Sequence, residues 1–370
     1  MDPKITNISE ENNVYKFTLS GINVSLANAL RRIILSEIPV VAIKTDEYVS
    51  NKCYIEINTT RLHNEILKQR LSCIPICISP DELNILPDKY LLEIDMKNET
   101  DDMLFITTKH FKIKNKLNGN YLTDAETRRI FPPNELTKDY ILFARLRPKI
   151  GDSIPGEHLK LTADFCISNA SEDAKFNVVC NCSYGFTPDM AKINETWKDK
   201  ERMLKSQDIS QTEIEFQKKN FYILDSQRHY IENSYDFIIE TVGCYENRTI
   251  VKQGISVLND KFGLFIKDID AGAVIIKLSE TIMDNCYDII LDNEDYTLGK
   301  SIEYFIYDKY YVKDKSVKYC GFVKEHPHDS KSIIRIAFES KAADKNMVKQ
   351  CLRACVVDAQ TLFSKMYKLF

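Results

Sequence analysis

The sequence predicts an α+β fold made of two related strand–helix halves in one chain, the first interrupted by a β-rich insertion. Three observations carry that prediction: a strand–turn–helix unit that returns 272 positions later, a heptad-spaced helix closing each half, and a β-rich texture between the units. The length agrees, since 370 residues exceed a typical domain of ~100–150 residues and leave room for two or three separate cores. A 44% hydrophobic composition with only 11 Gly and 11 Pro is that of a globular chain. Lys+Arg of 50 against Asp+Glu of 54 excludes a protein that coats nucleic acid through bulk positive charge.

The first unit opens with YKFTLS, which places Tyr15, Phe17 and Leu19 on one face at the period of a half-buried strand. After Gly21, Ser25 reads as an N-cap, Leu26, Leu30, Ile33 and Ile34 recur at helical spacing, and Pro39 ends the helix. Without a gap, Tyr287, Ile289 and Leu291 repeat the strand face, Thr297 the cap, and Leu298, Ile302, Phe305 and Ile306 the helix stripe. Strand face, cap and stripe returning in one register define two related halves.

Each half closes on a long helix. Val251, Ile255, Leu258, Phe262, Phe265 and Ile269 alternate steps of four and three, and so do Val348, Leu352, Cys355, Ala359, Leu362, Met366 and Leu369. The last helix carries a second stripe through Met347, Cys351, Phe363 and Tyr367, which makes it apolar on more than one side. At ~1.5 to 3 kcal/mol for each large side chain buried, such stripes would dominate a helix bundle between the halves. Periodicity alone also fits ordinary core helices of separate domains.

The material between has a different texture. KYLLEIDM, MLFITTKHFKIK, ILFARLR and HLKLTADFCIS read as strands separated by turns, and residues 188 to about 230 as a charged, partly helical connector with Trp197. The resulting division is a first half of residues 1–62 plus 231–270, an insertion with its connector at 63–230, a linker at 271–285, and a second half at 286–370.

Motifs for chemistry are lacking. Cys73 and Cys77, Cys180 and Cys182, and Cys351 and Cys355 form close pairs, but no two pairs complete a zinc tetrahedron, and buried apolar thiols are the expectation. His326 and His328 flank Pro327 and read as a turn before a strand. Gly299-Lys300-Ser301 imitates the end of a phosphate loop, yet Glu294 stands where its first glycine must be. No residues are assigned as catalytic, cofactor-binding or metal-binding. Lys109, Lys112, Lys114, Lys116, Arg145, Arg147 and Lys149, with Phe111 and Phe143 among them, form a basic stretch that reads either as a solvated strand face or as a nucleic-acid groove. The opening residues lack a basic stretch before an apolar run, and no run spans a bilayer, so neither a secretory leader nor a membrane segment is expected. Eleven cysteines then suggest reduced, intracellular thiols, and the Asn-x-Ser/Thr sites from Asn7 to Asn247 are expected to be unmodified.

VSLANALRRIIL (24–35), SEIPVVAI (36–43) and RLHNEILKQRLSCIPI (61–76) resemble, in wording and order, the RNA polymerase assembly subunits: the bacterial alpha amino-terminal domain and the eukaryotic and archaeal third and eleventh subunits. HLKLTA (158–163), DAKFNVV (173–179) and FIIETVG (237–243) are similar to the third subunit, whereas DNEDYTLGKSIEYFI (292–306), GFVKEHPHDSKSIIRIAF (321–338) and the closing helix resemble the eleventh.

The resemblance implies a non-catalytic platform of a DNA-directed RNA polymerase, with two alpha-like dimerisation halves paired pseudo-symmetrically. Its internal interface would comprise Leu26, Ala29, Leu30, Ile33, Val251, Ile255, Leu258, Phe262, Leu298, Ile302, Phe305, Leu352, Cys355, Leu362 and Met366. Docking of the largest and second-largest subunits would fall to Arg31, Arg32, His63, Asn64, Glu65, Arg70, Ile74, Pro75, Lys175 and Phe176, with the arginines suited to carboxylates. Further implied partners are small zinc-bearing subunits, with DNA met only through the complex, no membrane, and one copy per assembly. The arrangement resembles a single-chain fusion of third and eleventh subunits as in large cytoplasmic DNA viruses, which would place it in host cytoplasm and in the virion.

Two departures stand out. Where third subunits often carry a zinc-binding cysteine cluster this chain has PDELNILPDKY, so no zinc is expected. Lys300, Ser301 and Glu303 follow Gly299 where eleventh subunits usually have Gly-Asn. Two other classes compete: an independent nucleic-acid-binding transcription factor using residues 109–149, and a thiol or metal enzyme.

Overall fold

A computed structural model describes residues 1–46, 48–151, 153–280, 283–340 and 344–370. The chain begins with β1 (Lys4–Glu11), β2 (Val14–Ser20) and α1 (Val24–Ser36). β3 (Val40–Ala42), β4 (Cys53–Asn58), α2 (Asn64–Ser72), α3 (Ile85–Lys89), β5 (Tyr90–Lys97), β6 (Leu104–Thr107), β7 (Lys112–Asn115), α4 (Asp124–Ile130), β8 (Leu142–Leu146), β9 (His158–Asp164) and β10 (Cys166–Ser168) follow. The chain continues through β11 (Val179–Pro188), α5 (Met190–Ser206), α6 (Gln211–Ile223), β12 (Tyr230–Thr241) and α7 (Asn247–Asp270). It ends with β13 (Ile275–Leu278), β14 (Cys286–Asp292), α8 (Tyr296–Ile306), β15 (Val317–Val323), β16 (Lys331–Phe338) and α9 (Lys345–Tyr367). Among the described residues no helix is long and apolar enough to cross a membrane.

Two compact units result. One comprises Met1–Ile33, Asn181–Glu240 and Val251–Phe370; the other comprises Ile34–Cys180 and Thr241–Ile250. These units differ in their bounds from the expected insertion at 63–230. Residues 34–62 join the second unit because Val41, Ile43 and Cys53 enter its core, whereas α5 and α6 belong to the first unit. These two helices pack around Ile193, Trp197, Leu204, Ile214 and Phe221, a small core of their own.

Within the first unit the sheet β1-β2-β12-β11 and the sheet β13-β14-β16-β15 have matching orders. Tyr15, Phe17 and Leu19 are buried, as are Tyr287, Ile289 and Leu291, so the alternation read from the sequence is the inward face of both. β2 pairs antiparallel with β12 through Phe17↔Phe237, and β14 with β16 through Ile289↔Ile334. The partner strands therefore repeat at 97 positions, and so do the two closing stripes, Val251 with Val348 through Ile269 with Met366. The opening segments repeat at 272; the difference from 97, 175 residues, is the extra length of the first half. The expected linker contains an edge strand, β13, paired with β14 as β1 is with β2; Thr281 and Ile282 of that linker lie outside the described residues.

The second unit is built on the antiparallel sheet β4-β9-β5-β7 and the pair β6-β8. Period-two burial puts Leu159, Leu161 and Ala163 of β9 and Leu92 and Ile94 of β5 into one core, which Leu67 and Leu71 of α2 cover.

Candidate functional site: the paired helices of the first unit

α1 and α8 start alike, but not on the expected caps. Asn23 Oδ1 accepts the Ser25 amide at 2.9 Å, and Asp295 Oδ1 accepts the Thr297 amide at 2.8 Å. Asp295 is thus the N-cap of α8, with Thr297 in its first turn, and Asn23 occupies the equivalent place before α1. The capping oxygen must precede the amide it satisfies, so the cap lies two residues earlier than the Ser/Thr of the sequence reading. Gly299 forms no phosphate cradle: it sits in α8, where a Cβ would fall 2.0 Å from the Phe322 ring.

Leu26, Ala29, Leu30, Ile33, Val251, Ile255, Leu258, Phe262, Leu298, Ile302, Phe305, Leu352, Cys355, Leu362 and Met366 are all buried. α7 and α9 meet directly. Phe262 stacks on Phe363 with centroids 5.7 Å apart, Gln360 donates to the Asn259 carbonyl at 3.3 Å, and Arg353 grips Asp270 at 2.9 and 3.4 Å. Lys252 lies over Tyr367, Phe262 meets Phe363 and Asp270 meets Arg353, so rising numbers on α7 meet falling ones on α9 and the two run antiparallel. A Cβ on Gly263 would lie 3.2 Å from Gln360 Nε2, and Gln360 is its equivalent at the 97-residue offset. A position facing its own equivalent marks the axis of an isologous contact. Phe370, beyond α9, meets Phe17 edge-on at 5.1 Å, carrying the second half onto the sheet of the first.

The same unit contains an asymmetric clasp. Arg32 of α1 donates Nε to Thr297 Oγ1 at 2.9 Å and Nη2 to Asp295 Oδ2. Burial acts against the Asp295 carboxylate, but the Thr297 amide and hydroxyl and the Arg32 guanidinium outweigh it and hold its pKa below the ordinary value. The residue equivalent to Arg32 is Tyr304, so the clasp exists once.

Arg32, expected to meet carboxylates on a large subunit, meets one within its own chain. Arg31 donates to Asn28 at 3.0 Å and is half-buried. In the second unit, Arg70 is also committed within the chain, donating to the carbonyls of Phe143 and Leu142 at 2.8 and 2.7 Å. Lys175 is paired with Asp46 and Asp173 and lies over Phe176, whose ring is buried; Ile74 is buried as well. His63, Asn64 and Glu65 are exposed at the start of α2, and Pro75 is half-buried.

The basic stretch is largely neutralised. Lys114 pairs with Glu93, Lys116 with Asp164, Arg147 with Glu157 and Lys149 with Asp101, while Arg145 lies over Phe105. Burial pushes the thiol of Cys77 up to about 11 and those of Cys182, Cys244 and Cys355 up to about 12, opposite to what a nucleophilic thiolate needs. Among the described residues no three His, Cys, Asp or Glu side chains converge to hold a metal ion.

Two topologically equivalent strand–helix halves, closed by antiparallel helices that meet at equivalent positions, define a dimerisation fold. Models of the RNA polymerase Rpb3/Rpb11 dimerisation domain match residues 16–262 and 286–366, and the chain belongs to this family. It is 31% identical over 196 residues to the DNA-directed RNA polymerases I and III subunit rpac1 of Dictyostelium discoideum, covering 50% of this chain and 52% of that subunit. The human RPAC1 subunit of the same name is 25% identical over 301 residues, covering 70% of this chain and 83% of the relative. The DNA-directed RNA polymerase subunit Rpo3 of Pyrococcus furiosus is 25% identical over 272 residues, covering 69% and 92%.

Proposed function

We propose that the chain is a non-catalytic assembly subunit of a multisubunit DNA-directed RNA polymerase, an internal pseudo-dimer that presents one platform to the two large catalytic subunits. The observation that carries this reading is the packing of α7 against α9 about Gly263 and Gln360, in a chain matched twice by the dimerisation family. Tethering both halves makes their association intramolecular, at an effective concentration of order mM, and fixes their ratio. His63, Asn64 and Glu65, exposed at the start of α2, are the residues offered to the second-largest subunit. Small zinc-bearing subunits complete the partners, and DNA is met through the complex.

The single-chain arrangement, in a chain rich in Asn, Lys and Ile, is that of a large cytoplasmic DNA virus, with the protein in host cytoplasm and packaged in the virion. The chain itself needs no zinc; one equivalent per chain by elemental analysis would overturn this. Gentle affinity capture from the native source tests the main reading. Stoichiometric recovery with two very large polymerase chains is expected. Recovery without them, with steep salt-dependent binding to DNA by the isolated chain, would replace it by the nucleic-acid-binding factor.

A further inference from the structure

α4 stands between two recesses of the second unit. Its Glu126, Arg129 and Ile130 line the larger, of about 550 Å³, and its Asp124, Ala125, Arg128 and Phe131 line a smaller one of about 380 Å³. The smaller has three features that together describe a ligand. Phe111 and Phe131, edge-on at 5.2 Å and each 3% exposed, form an aromatic wall. Thr108, also lining it, is 1% exposed, and its amide and carbonyl are engaged by Ile141 and Phe111, yet its hydroxyl has no hydrogen-bond partner among the described residues. A buried hydroxyl without a partner is unfavourable unless something meets it.

The rim supplies charge. Lys109 and Arg128 are exposed and neither is ion-paired with a carboxylate among the described residues, whereas Lys114, Lys116, Arg147 and Lys149 nearby in sequence all are. Among the described residues Asp124 is the one carboxylate that lines the recess, so two cations face one anion. The volume suits one inserted aromatic side chain with its flanking backbone and is too small for an element of secondary structure.

We propose that this recess is an anchor site for an acidic segment of a partner protein, taking a tyrosine. The ring packs against Phe111 and Phe131, the phenol O–H donates to Thr108 Oγ1, and a neighbouring carboxylate lies between Lys109 and Arg128. Specificity follows from the hydroxyl pair, because a phenylalanine anchor leaves Thr108 unmet.

Fluorescence anisotropy of the full chain with a fluorescein-labelled Glu-Asp-Tyr-Asp-Glu peptide at low salt tests the proposal. Saturable binding is expected, and Lys109→Glu with Arg128→Glu should weaken it about tenfold or more. Ala125→Trp, placed at an exposed lining position, should block it to a similar degree without lowering the melting temperature. Thr108→Val and a Phe-for-Tyr peptide should each cost roughly threefold, and the two together no more than either alone. Three results would overturn the proposal: no saturable binding, an equal loss on reversing Lys218 and Lys219 of α6, or displacement by a pentathymidylate as effective as by unlabelled peptide.

Discussion

At Arg32 a single guanidinium joins the helix that opens the first half to the cap of the helix that opens the second. Replacing Asp295 with Ala removes a cap and leaves that guanidinium without its carboxylate, a loss of about 1 to 2 kcal/mol by urea unfolding. Asp295→Asn keeps a capping oxygen and isolates the charge. Because the folded carboxylate titrates below its ordinary value near ~3.9, its contribution is complete above that value and disappears as pH falls through the folded pKa. The stability difference between wild type and Asp295→Asn should therefore shrink on acidification; a difference independent of pH would separate the clasp from the charge. Gly299→Ala should cost about 1 to 3 kcal/mol in the same assay, since the Phe322 ring occupies the place of the new methyl. The sequence singled out Arg32 on its helix, but spacing does not name the carboxylate 263 residues away that meets it.

The strands and closing helices were more legible, for a reason tied to their residues. Tyr15, Phe17 and Leu19 alternate, and Val251 to Ile269 step by four and three, because one face of each element is buried, and burial imposes the element's own period. β13 escaped this reading: its burial is confined to Ile276, an edge strand with little apolar face to advertise. The axis at Gly263 was likewise unreadable, as a glycine in a helix announces a close approach without naming the partner. Gly263→Ala gains helix propensity of about 1 kcal/mol and asks Gln360 to shift slightly, so its stability should stay within about 1 kcal/mol of wild type. Gly263→Trp has no such room and should destabilise by several times that amount. Leu30→Asp with Leu258→Asp, which buries two carboxylates at fully covered sites, should release the halves and expand the molecule in scattering experiments; an equally compact double variant would refute the pairing.

On the scale of the whole molecule, two repeat offsets, 272 and 97, describe one architecture written twice with 175 extra residues in its first copy. The extra residues contribute most of the second unit, whose boundary at Ile34 lies inside α1. A continuous helix hides such a boundary from sequence, which explains why the insertion was expected to begin only at 63. The clasp also gives the pairing a direction. Two first halves would set Arg32 against Asn23 and Ser25, and two second halves would set Tyr304 against Asp295, so only the mixed pair brings guanidinium to carboxylate. A chain that contains one of each half satisfies itself. Native mass spectrometry of the intact chain at micromolar concentration tests this most directly: the mass of one chain is expected, and a species of twice that mass would mean that the halves pair between chains instead.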